Sequence, residues 1–499
     1  MRIRTALVFL ILLWGGHAHA QLSFSNLLEY QLGNLPYERP RDLSTAYNQL
    51  NLSYRYRYLK AFVKFESFTH QEAVQDYYQF TQRGVRVGND RLAFTAGNFY
   101  EILGRGLLLR SYEIPGTLRE DVGLRVRQGF YRDIEGFLLK YQSRAVELKA
   151  LRGRPLYNSF PPTFEREARR PSLLDGVEAS VRVVKDLTLG SAYLRNDRDD
   201  KISKYSTVFL NANLPFALQI YSEFAQQLRP EQDLFDFSEG SSHAFYASAN
   251  YVAGPLGLSV EAKDYNDFVL LFNDPPQLIK EHPYVVLNRS THLLEPDNES
   301  GWQAEAFLRF NAGHQLTLNA TQAQNELFGR RTVFKELFAE FEYKIDEATA
   351  LKVFADRSRD PFKLEEKRNA AGFYFDKEWP QQWGTILDVE YQTFERSFAP
   401  HENVKNYIVS FTLSRAPRFS AGALWERTTD VQLADNPVTD RIETKPRHWL
   451  GGTLGYKLNN QHFVNAFLGK RRGGPACTAG ICYEVLDFEG LEVRWTSNF

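Results

Sequence analysis

Period-two alternation of apolar and polar residues, recurring from about Ala46 to the last residue, constrains this chain more than any other feature. Successive residues of an extended strand point to opposite faces, so the pattern describes sheets with one greasy and one wet side. In Gln49 to Tyr58 the set Gln49, Asn51, Ser53, Arg55 and Arg57 alternates with Leu50, Leu52, Tyr54, Tyr56 and Tyr58. Trp302, Ala304, Ala306, Leu308 and Phe310 repeat the motif, and after a turn at Asn311-Ala312-Gly313 it resumes with Leu316 and Leu318. Leu337 to Ile345 pairs in the same way with Leu351 to Ala355, and further copies run through 176–195, 204–225, 243–264, 369–394, 405–427 and 447–470. Tight turns such as Val184-Lys185-Asp186, Gly254-Pro255 and Asn459-Asn460 join strands within a copy. Longer polar stretches, about 153–174, 226–242, 265–299, 428–446 and 471–483, join one copy to the next.

Sorting of connections by length is what a transmembrane barrel requires, with short turns on the periplasmic rim and long loops outside. A soluble sandwich has no reason to sort them, and a β-helix or propeller would keep a fixed repeat length. Composition agrees: aromatic residues reach 14%, yet charged residues reach 24% and mean hydropathy is −0.42. Only every second residue of a barrel strand faces lipid, which reconciles these values. No stretch approaches the ~18 continuous apolar residues of a spanning helix. The expected fold is therefore all-β, a transmembrane antiparallel β-barrel. About nineteen strands follow residue 133 and three to five precede it, giving about 22 in all, within 20 to 24. An unfilled barrel of that width would gape, so something inside the lumen is expected.

The first twenty residues read as a secretory leader. Arg2 and Arg4 supply positive charge, Ala6 to Trp14 is apolar, and Ala18-His19-Ala20 is a small-x-small cleavage site. Residues 21–499 then form one barrel domain in the bacterial outer membrane. At the other end Leu491, Val493 and Trp495 alternate with polar residues and the sequence closes on Phe499. Trp495 and Phe499 look like the signal that barrel-assembly machinery reads. Expected partners are outer-membrane lipid and lipopolysaccharide, this machinery, and a periplasmic or surface protein.

One segment breaks the rhythm. In GNFYEILGRGLLLRSY, Gly97 to Tyr112, Gly104 and Gly106 flank Arg105, and Arg110 follows three leucines. Glycines so placed suit a sharp backbone feature. Either 97–135 folds inward and sets Glu101, Arg105, Arg110 and Glu113 in the lumen as a constriction, or the segment is a tight periplasmic turn with solvated charges. Arg125 and Arg127 share one face of a candidate strand and suggest a basic ladder, although acidic and basic residues balance between Glu101 and Glu135, which leaves ion selectivity open. Cys477 and Cys482 enclose Thr-Ala-Gly-Ile in the last long loop, where a structural disulfide would fix the shape of the tip.

Enzymatic signatures are missing. The sequence holds no G-x-S-x-G, H-E-x-x-H or phosphate-loop motif, its histidines are scattered, and acidic pairs such as Glu340/Glu342 and Asp388/Glu390 read as wall lining. No cofactor or metal is implied, and a net charge of −1 gives no bias toward nucleic acid. The segments GNFYEILGRGLLLRSY and RRGGPACTAGICYE resemble those of a largely uncharacterised family of bacterial outer-membrane β-barrel proteins. That family pairs such a glycine-rich segment with a C-terminal cysteine hairpin. The resemblance spans most of the chain and implies fold and location, with no substrate to carry over. The architecture also resembles substrate-specific porins and polysaccharide-export barrels. The sequence thus points to a porin-like channel or export conduit for a polar solute or polymer. The alternative is a non-conducting scaffold that binds a protein or glycan through loops such as 265–299, with apolar Leu270, Leu271, Phe272 and Tyr284.

Overall fold

The structure, a computed structural model, describes residues 21–499 apart from 37, 73–75, 122–124, 158–171, 232, 239, 279, 294–297, 311–312, 328–329, 397–401, 432–446 and 479. The expected leader at 1–20, much of the connections at 153–174 and 428–446, and the turn residues Asn311 and Ala312 lie outside that set.

Five strands open the wall: β1 (Gln21–Asn34), β2 (Ser44–Tyr56), β3 (Leu59–His70), β4 (Tyr77–Gly88) and β5 (Leu92–Phe99). Four short strands then leave it and pair only among themselves: β6 (Ile102–Leu103) with β7 (Leu109–Arg110), and β8 (Tyr112–Glu120) with β9 (Arg127–Arg132). The wall resumes at β10 (Ile134–Gln142), which pairs back to β5, and continues strand by strand to β27 (His462–Arg471). A separate hairpin of β28 (Gly474–Thr478) and β29 (Ile481–Val485) precedes β30 (Phe488–Asn498), which pairs with both β27 and β1. The result is a closed antiparallel sheet of 24 strands, which leaves no unpaired wall edge. Nineteen of these follow residue 133, and the five before it place the total above the expected 22. β1 is the strand the alternation blurs, because Leu27 faces inward beside outward Leu28.

The outer face is apolar, as hydrocarbon demands. Phe137, Leu148, Val177, Leu189 and Leu450 all stand exposed on it. The connections sort by end with one correction. At the end carrying Gln21 and Phe499 every turn is short, but the far end mixes long connections with tight ones such as Asp199-Asp200 between Leu187–Arg198 and Lys201–Leu214.

Two rows of glycines cross the wall. Gly84, Gly97, Gly136 and Gly153 pair in succession, and so do Gly33, Gly490, Gly469 and Gly451. A Cβ on Gly136 would collide with the carbonyl of Arg152, and one on Gly97 with that of Arg83. Backbones approach closely there, and such glycines suit a bend in a sheet. Just beyond each row a segment departs from the wall: 100–133 after β5, and 472–487 after β27.

Candidate functional site

The interior of the barrel is filled by three inserts. The first is 100–133. Its Gly104-Arg105-Gly106 turn, with φ of +58° at Gly104 and +101° at Gly106, brings two backbone N–H groups to wall carboxylates. Gly104 N–H donates to Glu178 (2.7 Å) and Arg105 N–H to Glu223 (2.7 Å), and a side chain at Gly104 would strike Glu223. The Arg105 guanidinium lies 4.2 Å from the Tyr221 ring centroid and donates to Ser248 Oγ (3.1 Å). Leu103, Leu107, Leu108 and Leu109 then bury themselves completely among inward-facing Leu194, Tyr205, Tyr221, Tyr246 and Tyr265. This apolar core inside a water-facing wall is what sequence reasoning missed. Its signal was the tyrosines on the wet parity of the strands, which break strict alternation.

The other end of the same insert grips the opposite wall. Arg127, almost fully buried, donates to Glu29 (2.5 Å) and Thr45 and lies over Phe68. Arg125 bonds Glu120 and Asn34, each at 2.5 Å. The two arginines therefore form no ladder; Arg125 sits at φ +57° ahead of β9, and each has its own partners. Glu113 meets Lys64 (2.5 Å) and Tyr100 (2.9 Å), and Glu101 meets Lys140 (2.5 Å) and Lys149 (3.5 Å). The six charged residues singled out in the sequence thus make wall contacts on different sides of the lumen, except Arg110, which faces the other inserts.

The second insert is 267–293. Phe268, Leu270 and Phe272 join the leucine core, so their apolarity is spent inside the barrel and not on an outer contact surface, whereas Val269 and Leu271 stay exposed. Asn273 accepts from Arg110 N–H (2.6 Å) and donates to the carbonyls of Gly106 and Leu107 (2.8 Å each). A short helix, α1 (Val285–Arg289), offers the N–H groups of Val285 and Val286 to Glu390 (2.9 and 2.8 Å). Such unpaired helix-start donors suit a carboxylate. Tyr284 stacks on Phe354 with centroids 3.7 Å apart and donates to Glu340 (2.7 Å). Glu340 and Glu390, expected as wall lining, are docking points for this insert. Downstream, buried His292 bonds Asp360 (3.0 Å) and lies 3.5 Å from Glu299. Burial alone would lower the His292 pKa, but these two carboxylates outweigh it and push it up to about 9.

The third insert is 472–487. Cys477 and Cys482 form a disulfide, and the hairpin is not a free tip. Cys477 N–H donates to Asn288 Oδ1 (3.0 Å), Gly480 N–H donates to Glu281, and the Tyr483 ring packs against Phe130 at 5.2 Å. Ile481, Ile114 and Phe130 form a small core shared by the first and third inserts. The three inserts are therefore joined to one another and reach the wall near β1–β3, near Ser172–Val184 through Leu256–Asn266, and near Arg330–Asp346 through Glu402–Arg415.

Among the described residues, four of the cavities lie along the seams. One of about 660 Å³ lies at the Phe24 and Phe499 end; it adjoins a second of about 660 Å³ at Tyr100. That one meets a third, about 480 Å³, at Gln277, and the third meets a far-end cavity of about 510 Å³ at Pro475 and Glu484. Basic side chains lining the four outnumber acidic ones twelve to seven, in a chain with 60 Lys+Arg against 61 Asp+Glu. At the barrel seam Phe499 exchanges backbone hydrogen bonds with Phe24 (3.0 and 2.8 Å), and Trp495 lies on β30 with its ring partly exposed.

Solved structures give the fold a context. The chain is similar to one chain of the E. coli P pilus tip assembly intermediate PapC-PapD-PapK-PapG, at 8% identity and a TM-score of 0.54, covering 97% of this chain and 62% of that one. It also matches the P pilus usher (PapC) translocation pore (9% identity, TM-score 0.47, 96% and 99% covered) and OccK5 (OpdH) of Pseudomonas aeruginosa (13%, 0.40, 75% and 97%). At these identities the likeness is one of fold: a large barrel of the outer-membrane kind. No curated protein matches the sequence. Residues 16–499 match one family model nearly end to end, and the chain belongs to that family, the family of unknown function DUF6029.

Proposed function

We propose that this protein is an outer-membrane channel held shut at rest by its own inserts, a gated conduit for a polar solute or polymer and not a permanently open porin. The observation that carries this reading is the continuity of the interior. Residues 100–133, 267–293 and 472–487 bond to one another and to wall strands on every side. A scaffold would need no seam, whereas the four abutting cavities trace an incipient path from one end to the other, interrupted at Tyr100, at Gln277 and at Pro475 and Glu484. On this reading Glu101, Arg105, Arg110, Glu113, Arg125 and Arg127 are the fastenings of a gate in 97–135. The Phe499 end faces the periplasm after removal of the leader, lipid and lipopolysaccharide surround the wall, and Trp495 and Phe499 serve assembly. Opening requires an agent that pulls an insert away, for which a periplasmic or surface protein is suited.

Planar-bilayer recording of the purified full chain tests the proposal. Wild type is expected to be nearly silent, and a variant lacking the Leu103–Leu109 contacts to conduct. A wild type that conducts steadily would refute the gate. Silence of both would favour the non-conducting scaffold.

A further inference from the structure

The third cavity, like the second, is lined by all three inserts. Arg119 and Arg132 come from the first, Asp274 and Gln277 from the second, and Tyr483 and Glu484 from the third. Both arginines are more than nine-tenths buried. Arg132 Nη1 lies 3.4 Å from Asp274, yet neither its Nε nor its Nη1 has a hydrogen-bond partner among the described residues. Asp274 is itself engaged by the Tyr112 hydroxyl (2.8 Å). The lining holds one further carboxylate, that of Glu484. The buried Arg132 guanidinium thus keeps donors that neither carboxylate of the lining satisfies.

A buried donor left without an acceptor is costly and uncommon in folded proteins. The planar fork of a guanidinium matches an oxyanion, which can accept two parallel bonds from it. Beside the arginines stand aromatic walls: Phe130 lies edge-on to Tyr112 (centroids 5.8 Å) and to Tyr483 (5.2 Å), and the Arg119 guanidinium sits over Phe130 (5.4 Å). About 480 Å³ is ample for a single-ring molecule.

We propose that this cavity binds a small organic oxyanion, a carboxylate or phosphate ester carried on a flat ring, gripped by Arg119 and Arg132 and packed against Phe130 and Tyr483. The proposal rests on the gated-conduit reading for its consequence. A ligand seated where the three inserts meet ties them together, and one that enters from either end passes through this cavity.

Calorimetric titration of the full chain in detergent micelles tests it, with benzoate, phenyl phosphate, inorganic phosphate and neutral benzyl alcohol as probes. Benzoate or phenyl phosphate is expected to bind once per barrel, and which of the two binds tighter identifies the oxyanion. Arg119→Gln and Arg132→Gln should each weaken binding at least about tenfold, while Arg86→Gln in the Phe499-end cavity leaves it unchanged. Because a core arginine variant can fail to assemble, a second measurement uses wild type alone. The bound anion should protect Arg119 and Arg132 from phenylglyoxal, read by mass spectrometry. Binding of benzyl alcohol as tight as benzoate, or of inorganic phosphate as tight as phenyl phosphate, would overturn the pairing of charge with ring. No heat and no protection with any anion would overturn the site. That result with a silent wild-type channel would leave the gate standing, whereas binding to a steadily conducting barrel would keep the site and remove the gate.

Discussion

Leu108→Ala is the sharpest perturbation of the proposed gate, because the residue belongs to an insert and its loss leaves every wall strand untouched. Its side chain is fully buried in a cluster with Tyr205, Tyr221, Tyr246, Tyr265 and Phe272, and displacing the insert would return it to a wet lumen. Truncating a leucine so placed costs about 3 kcal/mol, transfer and cavity terms together. The cost falls on the docked state alone, so the equilibrium toward an undocked insert shifts by about a hundredfold at 1.4 kcal/mol per decade. Single-channel recording in planar bilayers reads that shift as a rise in opening frequency, and heat-modifiable gel mobility confirms that the barrel has assembled. Leu107→Ala and Leu109→Ala, equally buried, supply further steps in the same direction. The reasoning is refuted if the assembled triple variant opens no more often than wild type.

Three further outcomes are expected. Glu29→Gln leaves Arg127 and Arg494 facing a neutral amide in a buried site and should destabilise docking of the first insert by about 3 to 5 kcal/mol, seen as faster hydrogen exchange across 125–132. The His292 pKa is raised in the folded state, so its contribution, on the order of 3 kcal/mol, is complete below its ordinary pKa of about 6.5 and fades as pH rises through about 9. Proteolysis of 280–293 should accelerate over that window in wild type and show no such rise in His292→Gln, and a flat wild-type profile would count against the contact. Reduction of Cys477–Cys482 releases a very short loop and should cost about 2 kcal/mol by chain entropy. The hairpin should become protease-sensitive while barrel mobility on gels stays unchanged.

The wall was legible because lipid imposes a rule on each strand separately. Leu50, Leu52 and Tyr54 declare their face without reference to any distant residue. The plug obeys no such local rule. Leu107 to Leu109 looked like a disturbance of the rhythm, and only Phe268 to Phe272, some 160 residues on, make them a core. The partners of Gly104 and Arg105 are Glu178 and Glu223, ordinary inward carboxylates indistinguishable in sequence from their neighbours. Asn273 and the α1 contact with Glu390 were invisible for the same reason. The cysteine pair was readable from spacing and compartment, but its seat against Asn288 was not, since nothing in a loop sequence says which way the loop turns.

The glycine rows bear on how much interior there is to fill. A closed wall of fixed perimeter encloses its greatest area when round, and a bend pressed into it takes area away. Of the eight glycines in the two rows, Gly33, Gly97, Gly136, Gly153, Gly469 and Gly490 let backbones approach where a methyl group would hold them apart, and the rings of Phe62 and Phe467 fill the space over Gly84 and Gly451. The capacity of the tube is thus tuned by what these positions lack, and restoring a methyl at Gly136 would round the wall and loosen the fit of the inserts before a single contact of theirs had been mutated.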